Sequence, residues 1–305
     1  MQQKGWGIFF GVVLLASFLS IAISPFVGWW LPANVSSFGP DVDYLYYVIL
    51  GFTTFFFVLT EALLVYAMCR FAWRPNAKSQ YVEGNRRLEL LWTIVPAGIL
   101  LYIAFAQIRT WEWIKYQKQM PGAVEDLLAD GTGERTPGKP DLIVQVTARQ
   151  WDWTMRYADS PRPANSRMWA EVPAFDDIYL PDELHCWKGA NVRIYLKTQD
   201  VLHSLFLPQL RLKQDALPGK TIPMWFNAID HNTVFNETTG KCELDKGKDW
   251  EIDCAELCGG GHYRMRGMLY VHQSKEDYLK WLAHAQKEAR SRQPEKKPTP
   301  VAAKD

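Results

Sequence analysis

Three long apolar stretches come first, followed by a series of short alternating ones. Residues 5–31 run for 27 positions without a charge, preceded by Lys4. Residues 44–69 run for 26 with one charge, Glu61, and residues 90–108 for 19 with none. A helix needs about 20 apolar residues to cross a bilayer, so each stretch predicts a membrane span. Residues 1–31 read as an N-terminal transmembrane helix or a signal peptide. The apolar run exceeds a usual signal core, and Pro25 behind the small pair Ala22 and Ser24 suits cleavage poorly. Residues 44–110 read as a transmembrane helical hairpin. Its connecting loop carries Arg70, Arg74, Lys78, Arg86 and Arg87, whereas the loop before it, residues 32–43, has no basic residue. Basic loops stay inside, so residues 70–88 face the cytoplasm and everything after Arg109 lies outside. A carboxylate within a span is costly and usually paired or functional, which singles out Glu61.

From residue 111 the pattern changes. Residues 111–140 form a linker, with Gly, Pro, Asp, Glu and Thr and no apolar period from 121 onward. Residues 141–275 then show short strand-like runs: 142–148 (LIVQVTA), 192–197 (VRIYLK), 221–227 (TIPMWFN) and 267–272 (GMLYVH). Short strands with turn residues between them predict a β-sandwich or barrel. Residues 276–290 carry an amphipathic helical pattern. Residues 291–305, rich in Pro, Lys and Ala, read as a disordered tail. The fold class is therefore a membrane-anchored all-β protein.

Composition narrows the function. A net charge of +1 and the lack of a basic stripe exclude a nucleic-acid partner. The 14 Trp, many beside apolar runs, suit membrane-interface anchors. Five Cys are too few for a disulfide framework. The sequence has no dinucleotide fingerprint, phosphate loop, G-x-S-x-G elbow or C-x-x-C-H haem attachment.

One stretch carries chemistry. Cys254, Cys258, His262 and Met265 are spaced four, four and three apart. Consecutive glycines at 259–261 oppose a helix, so the stretch predicts a loop around a metal. Two thiols and an imidazole could form part of a structural Cys2His2 zinc site. That leaves Met265 without a role, whereas copper electron-transfer sites use a weak axial Met. Two cysteines suggest two copper ions sharing bridging thiolates.

The spacing C-x-E-x-C-x-x-x-H-x-x-M resembles the binuclear CuA loop of cytochrome c oxidase subunit II. The resemblance implies a cupredoxin Greek-key β-barrel behind the helical hairpin. It makes Cys254 and Cys258 the bridging ligands and His262 a terminal ligand. The Met265 sulfur and the Glu256 carbonyl would be weak ligands. Residues 200–208 (DVLHSLFLP) resemble the family's D-V-x-H-S-F-x-x-P, which makes His203 the second imidazole. Residues 213–220 (KQDALPGK) resemble K-x-D-A-x-P-G-R, with Lys220 in place of Arg; the corresponding Asp, here Asp215, lies near the catalytic subunit. Residues 150–157 (QWDWTMRY) resemble Q-W-Y-W-x-x-x-Y. This identifies Trp151 as the site of electron entry from cytochrome c, with Asp152 departing from the usual Tyr. Asp152 and Asp200 are candidate acids for steering a basic cytochrome c. Residues 89–96 resemble E-x-x-W-T-x-x-P, which sets Glu89 at the mouth of a proton channel in the partner subunit; read alone, Glu89 is also a favourable acid at a helix start. The Glu256 side chain would bind magnesium shared with the catalytic subunit.

The expected function is subunit II of a cytochrome c-type terminal oxidase with two copper ions. Its partners would be the haem–copper catalytic subunit I, other oxidase subunits and cytochrome c. It would lie in a bacterial-type plasma membrane with the copper domain on the periplasmic side. The alternative is a membrane-anchored copper- or zinc-binding module outside an oxidase. His185, His231, His272 and His284 have no motif context and read as ordinary residues. Cys186 and Cys242, in segments that resemble the family least, are candidates for a disulfide in the exported domain.

Overall fold

The computed structural model describes residues 2–72, 76, 78, 81, 83–116, 140–157 and 177–292. Residues 117–139 of the expected linker, and the tail beyond 292, fall outside them. The chain divides into two compact units: Met1–Ala33 with Pro40–Trp111, and Asn34–Gly39 with Glu112–Asp305.

In the first unit the apolar stretches are helices α1 (Gln2–Ile23), α2 (Gly39–Arg70) and α3 (Arg86–Tyr116). All three are long and apolar enough to cross a membrane. Helix α1 ends short of the apolar run, just ahead of Pro25, which has no N–H to continue the ladder. Helix α3 begins at a side-chain cap: the N–H groups of Arg87 and Leu88 donate to Asn85 Oδ1 at 3.1 and 3.3 Å. Glu89 falls in its first turn, where a carboxylate complements the helix dipole. The helix continues past 110, through Trp111 and Trp113, to Tyr116. No proline or glycine lies between Gly98 and Pro121, so nothing in the chain stops it at the expected boundary.

The second unit is all-β with a terminal helix. One sheet has the order β3-β2-β1-β5-β8, with β1 Leu142–Arg149, β2 Asp152–Tyr157, β3 Ile178–Pro181, β5 Asn191–Thr198 and β8 Ile222–Asn227. The other runs β10-β9-β12-β11-β6-β7 and adds β4 beside β12. Its strands are β4 Glu183–Trp187, β6 His203–Leu207, β7 Leu212–Ala216, β9 Thr233–Asn236, β10 Lys241–Leu244, β11 Glu251–Cys254 and β12 Arg266–His272. Pairings are antiparallel except β1–β5, β4–β12 and a single residue pair of β9 and β12. Parallel neighbours require crossover connections rather than hairpins. The expected strands are therefore present, and the segments 161–189 and 236–253 hold β3, β4, β10 and β11 as well.

The core is apolar and aromatic. Trp153, Met155, Tyr157, Ile194, Leu196, Trp225 and Phe226 are all fully buried. The loop ahead of α2 also joins the β domain. Val35 N–H donates to Gln209 O at 2.8 Å, and Ile229 N–H donates to Val35 O at 2.9 Å. Phe38 is wholly buried with its ring edge-on to Trp225. Helix α4 (Lys275–Arg292) covers one face of the second sheet through Tyr278 and Trp281. It is capped by Ser274, whose Oγ accepts from Asp277 N–H at 3.2 Å.

Arg156 and Asp177 form an ion pair at 3.2 Å with both side chains almost completely buried. Removing Asp177 takes a close anionic partner from a buried guanidinium. Asp177→Ala is therefore expected to destabilise the β domain by about 3–5 kcal/mol, measured by denaturant unfolding. A cost below about 1 kcal/mol would mean that the guanidinium finds full compensation elsewhere.

Candidate metal centre

The site is assembled where two strands meet one loop. His203 opens β6 and Cys254 closes β11, and the two strands pair with Cys254 opposite Leu205. The chain then leaves the sheet for residues 255–265 and returns as β12. Cys254 N–H donates to Met265 O at 3.2 Å, which closes the base of the loop, and Ala255 N–H donates to Ser204 O at 2.9 Å, which fastens it to β6. Ser204 Oγ in turn donates to Asp215 Oδ1 at 2.7 Å. The loop is not a helix: Gly259 has φ +122°, and residues His262–Arg264 make one short 3-10 turn.

Five side chains converge here. Cys254 Sγ and Cys258 Sγ lie 3.8 Å apart, far beyond a disulfide bond of about 2.05 Å. Each thiol has its own imidazole: His203 Nδ1 is 3.8 Å from Cys254 Sγ, and His262 Nδ1 is 3.6 Å from Cys258 Sγ. Met265 Sδ approaches Cys258 Sγ at 3.9 Å, and the Glu256 carbonyl lies 3.3 Å from Cys254 Sγ. His203, Cys254 and Cys258 offer ligand atoms all within 4.8 Å of one another, a group that does not include His262. Soft thiolates with imidazoles suit copper or zinc. Burial, and the Cys254 thiol beside it, push the Cys258 thiol up to about 11. A metal entering this site must therefore displace protons.

Two polar residues hold the ligands and were not recognised as holders in the sequence. The Asp200 carboxylate faces His203 Nε2 at 2.9 Å, which leaves Nδ1 with its lone pair toward the sulfurs. Its other oxygen accepts Gln150 N–H at 2.7 Å. Burial works to raise the Asp200 carboxyl, but the Gln150 N–H, the His203 ring and the Val201 N–H together hold it down at about 2. Asp200 is thus ionised and fixed against the His203 ring. Asp152 is likewise paired, with Arg149 at 2.6 Å. Gln150 Nε2 donates to Cys258 O at 2.7 Å and fixes the loop at its centre. Asp200→Asn should leave the fold intact yet lower copper retention about 10–100-fold, read by competition with a chelator. Unchanged retention would return Asp200 to a purely structural role.

Trp151 lies over the loop. A Cβ built on Gly261 would fall 2.3 Å from Trp151 Cδ2, so the glycine is what lets the indole rest on the backbone. Arg264 stands over the same ring at 5.3 Å from its centroid. Trp151 is half-buried rather than fully exposed, and the exposed apolar side chains on the loop are Leu257 and Tyr263. The Glu256 side chain is half-buried. Glu89 belongs to the helical unit and is not part of this cluster.

Cys186 and Cys242 are free thiols. Cys186 neighbours His185 on β4, and successive strand residues point to opposite faces. Cys242 lies with His185 and His272 instead, so strand alternation directs Cys186 away from it.

Two regions match known families. Residues 24–109 match the transmembrane domain of cytochrome c oxidase subunit II, and residues 142–270 match its periplasmic domain. Among curated proteins, the chain is similar to cytochrome c oxidase subunit 2 of Thermostichus vulcanus, at 26% identity over 82% of this chain and 77% of the relative. It is similar to the same subunit of Cereibacter sphaeroides at 28% identity, over 78% and 73%. Among solved structures it matches the periplasmic domain of subunit II of cytochrome oxidase of Bradyrhizobium japonicum. That match has 22% identity and a TM-score of 0.37, covering 49% of this chain and 96% of the other.

Proposed function

We infer the role of this chain from one premise: it belongs to the cytochrome c oxidase subunit II family. It is a membrane-anchored subunit of a haem–copper oxidase with its β domain on the outer side. The function that fits is electron transfer from cytochrome c to haem in the catalytic subunit, with the membrane being the bacterial plasma membrane.

Cys254 and Cys258 would bridge two copper ions, with His203 and His262 as terminal ligands and Met265 and the Glu256 carbonyl as weak ones. Bound there, copper would supply one-electron transfer. The chain's own contribution is to hold the ligands, through Asp200, Gln150 and Ser204, and to keep the Cys258 and Met265 sulfurs buried. Trp151 would take the electron in, flanked by Leu257 and Tyr263 as an apolar docking surface for cytochrome c. The Glu256 carboxylate would hold magnesium shared with the catalytic subunit, a hard ligand for a hard ion. Glu89 would stand at the cytoplasmic mouth of that subunit's proton channel.

The observation that carries the two-ion reading is that each thiol has its own imidazole. One tetrahedral zinc would draw all four ligand atoms within about 4 Å of each other, given bond lengths of 2.0–2.3 Å. His262 lies outside the mutually close group of three. Elemental analysis of the full chain tests this: two copper ions per chain are expected. One zinc and no copper would favour a zinc-stabilised module instead.

A further inference from the structure

A second cluster of ligand-type side chains lies at the other end of β12. Met265 and His272 are seven positions apart along an extended strand, about 23 Å at ~3.3 Å per residue, so the two clusters are separate. His185 on β4, His272 at the end of β12 and Cys242 on β10 offer ligand atoms within 4.8 Å of one another. Both histidines are buried, at 1% and 0% exposure, and Cys242 is half-buried.

The rings are fixed in a particular way. His272 Nδ1 faces Asp277 Oδ2 at 2.8 Å. His185 Nε2 faces Glu183 Oε2 at 3.4 Å. A carboxylate beside a ring nitrogen places the proton on that nitrogen and leaves the other with its lone pair. The two remaining nitrogens, His185 Nδ1 and His272 Nε2, lie 3.2 Å apart. Two lone pairs at that distance need a proton or a cation between them. The plane of His185 is held by stacking on Trp281 at 3.8 Å and on Tyr270 at 4.5 Å, both within 11° of parallel. Asp277 is anchored as well, accepting Phe235 N–H at 3.0 Å. This is how metal-binding imidazoles are held: a carboxylate behind each ring and a thiol in front.

We propose that His185 Nδ1, His272 Nε2 and Cys242 Sγ bind one zinc ion, which ties β4, β10 and β12 together beneath helix α4. Zinc–nitrogen bonds of 2.0–2.1 Å at tetrahedral angles put two imidazole nitrogens about 3.4 Å apart, close to the 3.2 Å found. A thiolate with two imidazoles is a borderline-soft set that zinc accepts and magnesium or calcium does not. The fourth position is left for water, which the half-exposed side of Cys242 admits. The ion would fasten the edge strand β10, which among the described residues pairs with β9 alone.

The test uses the full chain in detergent, already loaded with copper so that Cys254 and Cys258 are occupied. Equilibrated with micromolar zinc and desalted, the chain should retain one zinc beyond its copper. Cys242→Ser should lose that zinc while keeping the copper and its visible spectrum, which shows that the variant folds. Cobalt offered in place of zinc should give a thiolate charge-transfer band that Cys242→Ser abolishes. Three results would overturn the proposal. One is no retained zinc and no cobalt band in the unmodified chain, which would leave a plain imidazole–imidazole hydrogen bond. Another is zinc retained equally by Cys242→Ser. The third is an additional copper, rather than zinc, lost with Cys242.

Discussion

Cys258→Ser is expected to cut copper from two ions per chain to one or none, and to reduce cytochrome c oxidation by the assembled oxidase by more than about 100-fold. Removing an outer partner of a metal site typically costs 10–100-fold, and Cys258 is proposed as a ligand at the centre. Its sulfur touches Cys254, His262 and Met265 at 3.6–3.9 Å. Serine keeps nearly the same shape, so the loop should persist through Gln150 Nε2 and Cys258 O, a contact that uses only the backbone of residue 258. What serine cannot do is ionise in this setting and bridge two soft ions. The parent site should also take up copper more readily as pH rises. Burial and Cys254 keep the Cys258 thiol protonated up to about 11, so fewer protons need displacing at higher pH. Elemental analysis and stopped-flow oxidation measure both effects. Two copper ions retained by Cys258→Ser would remove Cys258 from the bridging role.

The convergence of Cys254, Cys258, His262 and Met265 was legible in the sequence because it is local. These four side chains fall within twelve residues, and the glycines excluded a helix. His203 lies further off and was found only through the resemblance of residues 200–208. The membrane helices were legible for a similar reason, since length and hydropathy decide them with little help from tertiary structure. Strands β3, β4 and β10 were not. They are four or five residues long, too short for a period to show, and their polar residues mask the alternation. His185 and His272 read as ordinary for a related reason. They stand 87 positions apart, and only the parallel pairing of β4 with β12 sets Tyr270 opposite His185 and brings His272 near it. The contact of Asp200 with the His203 ring was not legible, because a sequence shows an acid near a His without showing which ring atom it faces. Helix α3 ran beyond its expected end because a change of polarity alone does not stop a helix, and residues 109–116 hold no proline or glycine.

Trp151→Phe is expected to slow reduction by cytochrome c by about 30-fold while leaving the copper content unchanged. Truncating a Trp at the centre of an interface commonly costs about 2 kcal/mol, which is that factor in a rate or binding constant. The substitution is clean on the protein side. The indole Nε1 has no hydrogen-bond partner among the described residues, so the smaller ring forfeits no bond within the chain. Gly261→Ala supplies the complementary test. Its Cβ would fall 2.3 Å from Trp151 Cδ2 and 2.7 Å from Cγ, atoms of a rigid ring rather than the end of a flexible chain. Either the indole lifts away or the copper loop shifts, and His262 is the next residue along that loop. Gly261→Ala alone should therefore slow electron entry and perturb the copper spectrum. Combined with Trp151→Phe, the smaller ring makes room for the methyl group, so the spectrum should return toward that of the parent while entry stays slow. Such non-additivity is what contact between the two positions requires. If the two substitutions were strictly additive in the spectrum, the indole would not be resting on the loop. If reduction by cytochrome c were unchanged in Trp151→Phe, Trp151 would be packing against the domain and the electron would enter elsewhere.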